Sequence, residues 1–299
     1  MQKKLTFLLL SFFALLLSPF LFASDKGKLE NSLLWEVSGN GLEESSYLFG
    51  TIHMICPDDY FWSEAFENAF QQCKQLFLEL DLSDPELLSQ AQTMMMSSSE
   101  DDEKWTDKLT EDQLNSIKGY FSKKMGLPEN MVESQLLGRM SLTGVYQLMI
   151  LQSLTCQMPD SYDMNILKKA QEANMEIHGL EDLEVQLAVF KNADEEIFIK
   201  SVVELAQDPS KSDETFAKLI EAYKEQDLNT LHELIVESPD TEAMGSAILE
   251  DRNKNWIPVM QEAMKKMPSF FAFGAGHLSG EVGIIQLLKD QGYTVKAVK

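Results

Sequence analysis

The chain has 299 residues, of which 48 are Asp or Glu and 25 are Lys or Arg, so its formal net charge is −23. With 44% hydrophobic residues and only 15 Gly and 9 Pro, the composition is that of a folded globular protein rather than a disordered or fibrous one. This acidity argues against nucleic acid as a partner, because binding to a phosphate backbone depends on Lys and Arg. It argues against an anionic membrane surface for the same reason.

The first residues have the layout of a secretory signal peptide. Lys3 and Lys4 precede an apolar run over 5–22, and the small residue Ala23 stands before a polar stretch. We expect cleavage after Ala23, which leaves 24–299 as a single exported domain, periplasmic or secreted. An uncleaved membrane anchor is the alternative. No later stretch is long and apolar enough to span a bilayer, so we expect no stable membrane span after cleavage.

Strand patterns lie near both ends of the chain, with mainly helical patterns between them. Short β-type runs at 33–37 and 46–49 flank a Gly-containing turn and predict a hairpin. The other predicted strands are 75–81, 176–180, 270–273 and 293–298, and the predicted helices include 61–74, 182–192, 195–207, 212–225, 228–236, 241–266 and 281–291. Strands at the two ends must meet to bury their apolar faces. We therefore predict an α/β (α+β) fold, a central mixed sheet built from N- and C-terminal strands, with a mainly helical insertion over about 109–236.

The three cysteines, Cys56, Cys73 and Cys156, do not have the number or spacing of a disulfide framework. One bridge can form in an oxidising compartment, and a Cys56–Cys73 bridge would close a short loop. Buried free thiols are the other interpretation. The sequence leaves the choice open.

Two glycine–histidine turns follow apolar strand patterns. Gly50 to His53 reads GTIH, and Gly274 to His277 reads GAGH. A glycine at a strand exit permits a tight turn or a close approach to a ligand, and the histidine then stands at the carboxyl end of the strand, where open α/β sheets bind ligands. Glu79 emerges near the end of the 75–81 strand pattern and could complete a metal site or act as a base. Hydrogen-bonded histidines at turns and a carboxylate that caps a loop are the structural alternatives.

These motifs, taken together, resemble the TraB/GumN family, which includes the Tiki-type proteases and the pheromone-shutdown proteins. The resemblance covers nearly the whole mature chain, through LLWEVSGNG, SSYLFGTIH, FLELD, YDMNILKKAQEANMEIHGLEDLEVQL, LEDRNKNW and FFAFGAGHLSGEVGIIQLLKDQGYTV. It implies an α/β fold and a metal-dependent hydrolase, in some members a peptidase. In that scheme the two motif histidines and the early glutamate bind a divalent ion or work beside it.

The resemblance also implies which residues form the site. It assigns His53, Glu79 and His277 as metal ligands, and a set of two imidazoles and one carboxylate suits a divalent transition metal such as Mn, Co or Zn. The further matching positions, which we expect to be catalytic, are Asp163, Glu181, Arg252 and Asn253. Two neighbours depart from the family pattern: Tyr162 replaces a glycine, and Asp251 replaces a glutamate.

Three of these matching positions have an expected role. Asp163 or Glu181 would act as a general base or hold a histidine in the correct tautomer. Arg252, one of only two arginines in the chain, would stabilise an oxyanion. A salt bridge on the helix surface with Glu250 or Asp251 is the structural alternative for Arg252.

The function that follows is hydrolysis of peptide or amide bonds by metal-activated water, with a peptide or protein as substrate. A non-catalytic protein that binds haem or a peptide on the same fold is the first alternative. An exported interaction protein, whose helical insertion presents an adaptable methionine-rich surface, is the second.

Overall fold

The structure is a computed structural model that describes residues 28–87, 89–90 and 104–299. The predicted signal peptide at 1–23 lies outside the described residues. Within them, no helix combines the length and the apolar character that crossing a membrane requires.

Six strands form one mixed sheet in the described part of the chain. They are β1 Leu34–Ser38, β2 Ser46–Thr51, β3 Gln75–Leu78, β4 Glu176–Gly179, β5 Ser269–Gly274 and β6 Thr294–Ala297. Their order across the sheet is β4-β3-β5-β2-β1-β6. The first four strands in this order are parallel, and β1 runs antiparallel to both of its neighbours. The prediction that strands from the two ends share a sheet is confirmed, and β4, β3, β5 and β2 all end at the same edge.

Helices precede, separate and follow these strands. In the described part of the chain, the α-helices longer than five residues are α1 Glu64–Gln71, α2 Glu111–Met125, α3 Leu142–Leu151, α4 Tyr162–Glu172, α5 Leu183–Lys191, α6 Glu195–Gln207, α7 Pro209–Lys224, α8 Leu228–Val236, α9 Pro239–Met244, α10 Glu250–Lys266 and α11 Ile284–Asp290. A short helix at Glu129–Met131 runs into a π-helix at Val132–Leu137. The predicted helix over 241–266 is wrong as one element. Gly245 ends α9 with a φ of +57°, a backbone conformation that favours glycine, and α10 begins at Glu250.

Helices cover both faces of the sheet, as the alternation of side chains along β5 shows. Phe270 packs edge-on against Phe70 of α1, with ring centroids 5.2 Å apart. Phe273, which points to the opposite face, lies 5.7 Å from the ring of Trp256 in α10. The molecule is therefore a three-layer α/β structure around this sheet, in agreement with the predicted fold class.

The predicted helical insertion contributes to two apolar clusters. One cluster is made mainly by helices of that segment and includes Trp105, Ile117, Phe121, Val132, Val145, Phe198 and Met244. Tyr162 and Tyr223, from the same segment, instead belong to the core around the sheet. The segment is thus only partly a separate packing unit.

A disulfide bond fastens the loop after β2 to the segment that leads into α4. It joins Cys56 to Cys156, while Cys73 is a buried free thiol. The Cys56–Cys73 pairing is wrong, because the Cys73 thiol is buried at the end of α1 and donates a hydrogen bond to a backbone carbonyl there. Beside the disulfide, the backbones of Ile55 and Asp160 exchange two hydrogen bonds of 2.9 and 2.7 Å.

Candidate functional site

Four neighbouring parallel strands each contribute one titratable side chain at the same edge of the sheet. In the order of the strands, these residues are Glu181 after β4, Glu79 after β3, His277 after β5 and His53 after β2. The carboxyl ends of parallel strands are where open α/β sheets bind ligands. The topology therefore brings these predicted site residues, from four distant parts of the chain, to one edge.

The two glycine–histidine turns pack directly on each other. A Cβ on Gly50 would lie 2.7 Å from Leu278 Cδ1 and 3.0 Å from Ala275 Cα, so only glycine permits this approach. Gly274 lies at the centre of the site. A Cβ there would stand 3.4 Å from Glu79 Oε1 and 3.6 Å from His53 Nε2, and it would stand 3.7 Å from Cδ2 of His277. Both histidines and the glutamate thus surround the small space above this glycine.

His277 is buried and held in one tautomer. Nη1 of Arg252 lies 3.2 Å from its Nε2, and a guanidinium can only donate, so Nε2 is the acceptor. The proton is therefore on Nδ1, which donates to Asn253 Oδ1 at 2.6 Å. The Asn253 amide nitrogen donates to the carbonyl of Val282 at 2.8 Å, which fixes the orientation of that side chain. Burial lowers the pKa of His277 to about 3; the nearby carboxylate of Glu79 opposes this shift and Arg252 reinforces it, so the ring is neutral at pH 7.

Arg252 connects the parts of the site. Its Nε lies 3.0 and 3.1 Å from the two oxygens of Glu181, and its Nη2 lies 2.6 Å from Glu181 Oε1 and 2.5 Å from Glu79 Oε2. The guanidinium also lies 4.8 Å from the ring of Trp256, whose indole N–H donates to Glu181 at 3.0 Å. The alternative of a helix-surface salt bridge is wrong, because Arg252 is buried and Lys254 contacts Glu250 and Asp251 instead.

Glu79 is a buried carboxylate that remains ionised. Burial would raise its pKa, but the positive charge of Arg252, together with the two histidines and the backbone N–H of Gly274, outweighs that effect and holds the pKa well below its usual range. The backbone N–H of Gly274 donates to Oε1 at 2.8 Å, and the Gln186 side chain donates to Oε2 at 3.3 Å. Oε1 lies 3.9 Å from Nε2 of His277. The carboxylate thus turns one oxygen toward the histidines and the other toward Arg252.

His53 is the exposed member of the site, with 65% of its side chain accessible. Its Nδ1 lies 2.9 Å from Oδ2 of Asp163, in the first turn of α4, and Thr51 donates to the other oxygen of that carboxylate at 3.2 Å. Desolvation lowers the pKa of His53, but the Asp163 carboxylate outweighs it and raises the pKa to about 9. Because the ring is exposed, water screens part of this attraction.

The seven predicted site residues lie at one end of the sheet in two hydrogen-bonded groups, the network of Arg252 with Glu79, Glu181, His277 and Asn253, and the pair of His53 with Asp163. They do not form a metal cage. Within the described residues, no group of three or more His, Cys, Asp or Glu side chains is positioned to hold an ion. The contacts give a reason, because the guanidinium of Arg252 already binds His277 Nε2 and Glu79 Oε2. Asp163 and Glu181, proposed as bases, are each hydrogen-bonded to a partner that they orient, His53 and Arg252 respectively.

Two further side chains support the network and are not among the residues predicted from the sequence. Trp256 stacks on His277, with ring centroids 4.4 Å apart, and binds Glu181. Its position four residues after Arg252 places both on one face of a helix, a signal that was present in the sequence. Gln186, which contacts Glu79, has no such signal. Of the other histidines, His178 packs against Phe77 and lies 3.5 Å from Glu176.

Comparisons with known proteins found a matching family model and curated relatives. The model of the TraB/PrgY/gumN family matches residues 33–297. Two curated relatives are Metalloprotease TIKI2 of Danio rerio and Metalloprotease TIKI1 of Xenopus tropicalis, each 24% identical over 89% of this chain. The chain spans 61% of the length of each of these relatives. No solved structure matches the chain significantly.

Proposed function

Because the chain belongs to the TraB/PrgY/gumN family, we propose that it is an exported, metal-dependent hydrolase that cleaves peptide or amide bonds. The observation that carries this proposal is the convergence of His53, Glu79 and His277 on the space above Gly274, beside the buried guanidinium of Arg252. The metalloprotease names of the two relatives support the hydrolytic class and a peptide or protein substrate.

The donor set fits a divalent transition metal in its chemistry. His53 Nε2 and Glu79 Oε1 face a cradle that a Cβ on Gly274 would fill, and His277 borders the same cradle. Two imidazole nitrogens and one carboxylate oxygen are ligands suited to Mn, Co or Zn. We propose these three residues as ligands. Such an ion would polarise the scissile carbonyl and activate the attacking water.

The protein's own groups orient this set. Asp163 fixes the His53 ring through Nδ1, which leaves Nε2 facing the cradle. Asn253 fixes the His277 ring through Nδ1, which leaves Nε2 toward Arg252 and Glu79. Glu181 and Trp256 hold the Arg252 guanidinium beside the site. A fixed positive charge at that position stabilises the negative charge that develops on the carbonyl oxygen of an amide under attack.

The test is peptide hydrolysis by the mature protein. A mixture of unmodified peptides is incubated with the protein and Mn²⁺, Co²⁺ or Zn²⁺, and products are identified by mass spectrometry. The expected result is cleavage by the wild type that EDTA abolishes and that Glu79→Gln reduces by a factor of about 100 or more. His178→Ala, which removes a histidine outside the site, is the matched control and keeps full activity.

Absence of cleavage with every metal, in protein that is folded by circular dichroism, would contradict the hydrolase proposal. In that case the absorption spectrum of protein reconstituted with haem tests the binding alternative. A Soret band that His53→Ala removes would assign the exposed histidine as a haem ligand instead.

A further inference from the structure

Arg252 binds one atom that a metal would need, Nε2 of His277, and it also binds the carboxylate of a second proposed ligand, Glu79. An imidazole Nε2 has a single lone pair, and in His277 that lone pair accepts a hydrogen bond from Arg252 Nη1 at 3.2 Å. The other ring nitrogen cannot bind an ion instead, because Nδ1 carries the proton and donates it to Asn253 Oδ1 at 2.6 Å. Nη2 of the same guanidinium lies 2.5 Å from Glu79 Oε2. His277 cannot donate its lone pair to an ion while this hydrogen bond is intact.

Arg252 also supplies the positive charge that the site requires. The side chains of Glu79 and Glu181 are 10% and 5% exposed, and both contact this one guanidinium. Two buried carboxylates without a cation would be strongly unfavourable. A divalent ion placed beside Glu79 would supply the same charge, so arginine and metal are alternative partners for this carboxylate.

Arg252 is anchored in a way that allows it to release His277 and Glu79 without leaving the site. Nε contacts both oxygens of Glu181, and the guanidinium stacks on Trp256 at 4.8 Å, while its outer nitrogens Nη1 and Nη2 reach His277 and Glu79. The side chain can therefore remain on Glu181 and Trp256 when its contacts to the two ligand residues are broken.

We propose that Arg252 is a resident cation that competes with the metal for the lone pair of His277 and for the charge of Glu79, so that metal binding requires its guanidinium to release His277 Nε2. This inference rests on the proposed function, since it takes His277 and Glu79 as metal ligands. It explains why no metal cage is formed within the described residues although the donors converge. It also predicts that removing the arginine strengthens metal binding instead of weakening it.

The first test measures Co²⁺ affinity by isothermal titration calorimetry for the wild type, Arg252→Gln and Arg139→Gln. Arg139 is the only other arginine, so its variant has the same change in charge at a place outside the site. We expect Arg252→Gln to bind Co²⁺ about tenfold or more tightly than the wild type, and Arg139→Gln to match the wild type. His277→Ala added to Arg252→Gln should abolish the gain. Equal or weaker binding by folded Arg252→Gln would overturn the inference.

A second measurement uses the wild type and does not depend on how the variant folds. Because the chain has two arginines, the Nε–H region of its ¹H–¹⁵N spectrum contains two arginine signals, which Arg139→Gln assigns. We expect added Zn²⁺ to shift the Arg252 signal and to leave the Arg139 signal in place. Zn²⁺ binding with an unchanged Arg252 signal would overturn the inference.

The two tests separate this inference from the function on which it rests. Metal-dependent cleavage with equal Co²⁺ affinity in wild type and Arg252→Gln would overturn the role of Arg252 and leave the hydrolase proposal standing. Absence of Co²⁺ and Zn²⁺ binding in both proteins would overturn the inference and the metal site together.

Discussion

Asn253 determines which nitrogen of His277 faces the site. Its Oδ1 accepts the Nδ1 proton at 2.6 Å, so Asn253→Ala leaves a buried donor without a partner and frees the ring to change tautomer. We expect a loss of about 1–3 kcal/mol in the free energy of unfolding and a fall of about 10- to 100-fold in metal affinity or activity. Urea denaturation and Co²⁺ titration measure the two effects. Asn68→Ala on the exposed side of α1 is the control, and equal effects of the two substitutions would contradict the role of Asn253.

The ion pair of His53 with Asp163 makes metal binding dependent on pH. Asp163 raises the pKa of His53 to about 9, and a protonated imidazole cannot bind a cation, so we expect metal affinity to rise as pH increases toward that value. Asp163→Asn lowers the pKa of His53 toward its ordinary value and shifts the midpoint of the pH dependence downward. Co²⁺ titrations from pH 6 to 9 measure this midpoint. Asp58→Asn removes an exposed acid from the same loop and should leave it in place; a midpoint unmoved by Asp163→Asn would contradict the role of that carboxylate.

The sequence identifies the titratable residues of the site more readily than the residues that they contact. His53 and His277 could be identified because each follows a strand pattern and a glycine, and Arg252 because arginine is so rare here. Which carboxylates Arg252 contacts could not be identified from the sequence. Its contacts with Glu79 and Glu181 join positions 173 and 71 residues away, and only the assembled sheet brings these residues together.

Among the structural elements, the disulfide controls the position of the loop that carries His53. It closes a segment of 100 residues and joins this loop to the approach to α4, where Asp163 lies. We expect Cys56→Ser with Cys156→Ser to reduce the free energy of unfolding by about 2–5 kcal/mol, and to lower activity because the His53–Asp163 pair is less well positioned. Thermal denaturation and the hydrolysis assay test both effects.

The matched control is Cys73→Ala, which removes the free buried thiol and keeps the bond. A reducing agent should lower the melting temperature of the wild type and of this control, and should leave the double serine variant unchanged. Reductant effects of equal size in all three proteins would contradict the role assigned to the bond.

The break between α9 and α10 and the pairing of the cysteines could not be predicted from the sequence, for physical reasons. The break between α9 and α10 depends on the conformation of Gly245, and an apolar repeat passes through such a glycine without a visible interruption. The Cys56–Cys156 bond joins residues that come together only when α4 packs against the sheet. Spacing along the chain therefore left the pairing of the cysteines open, and the Cys56–Cys73 loop that it permits is not formed.

For the whole molecule, the apolar strands at both ends of the chain were sufficient to predict one α/β sheet, because neither end could bury its apolar face alone. The strand order was beyond prediction. β4 lies within the helical segment of the sequence but forms the outermost strand on one side of the sheet, next to β3, and this position brings Glu181 to the site. The division of that segment between two apolar clusters depends on tertiary packing, which a periodic pattern does not specify.

Under the proposed function, the two glycine–histidine turns form one metal site. The most direct measurement is metal content by inductively coupled plasma mass spectrometry, after reconstitution with Mn²⁺, Co²⁺ or Zn²⁺ and removal of free ions. We expect about one ion per chain in the wild type and in His178→Ala, and a loss of bound metal in both His53→Ala and His277→Ala. Metal retained in both of these variants, or absent from the folded wild type with all three ions, would contradict the claim.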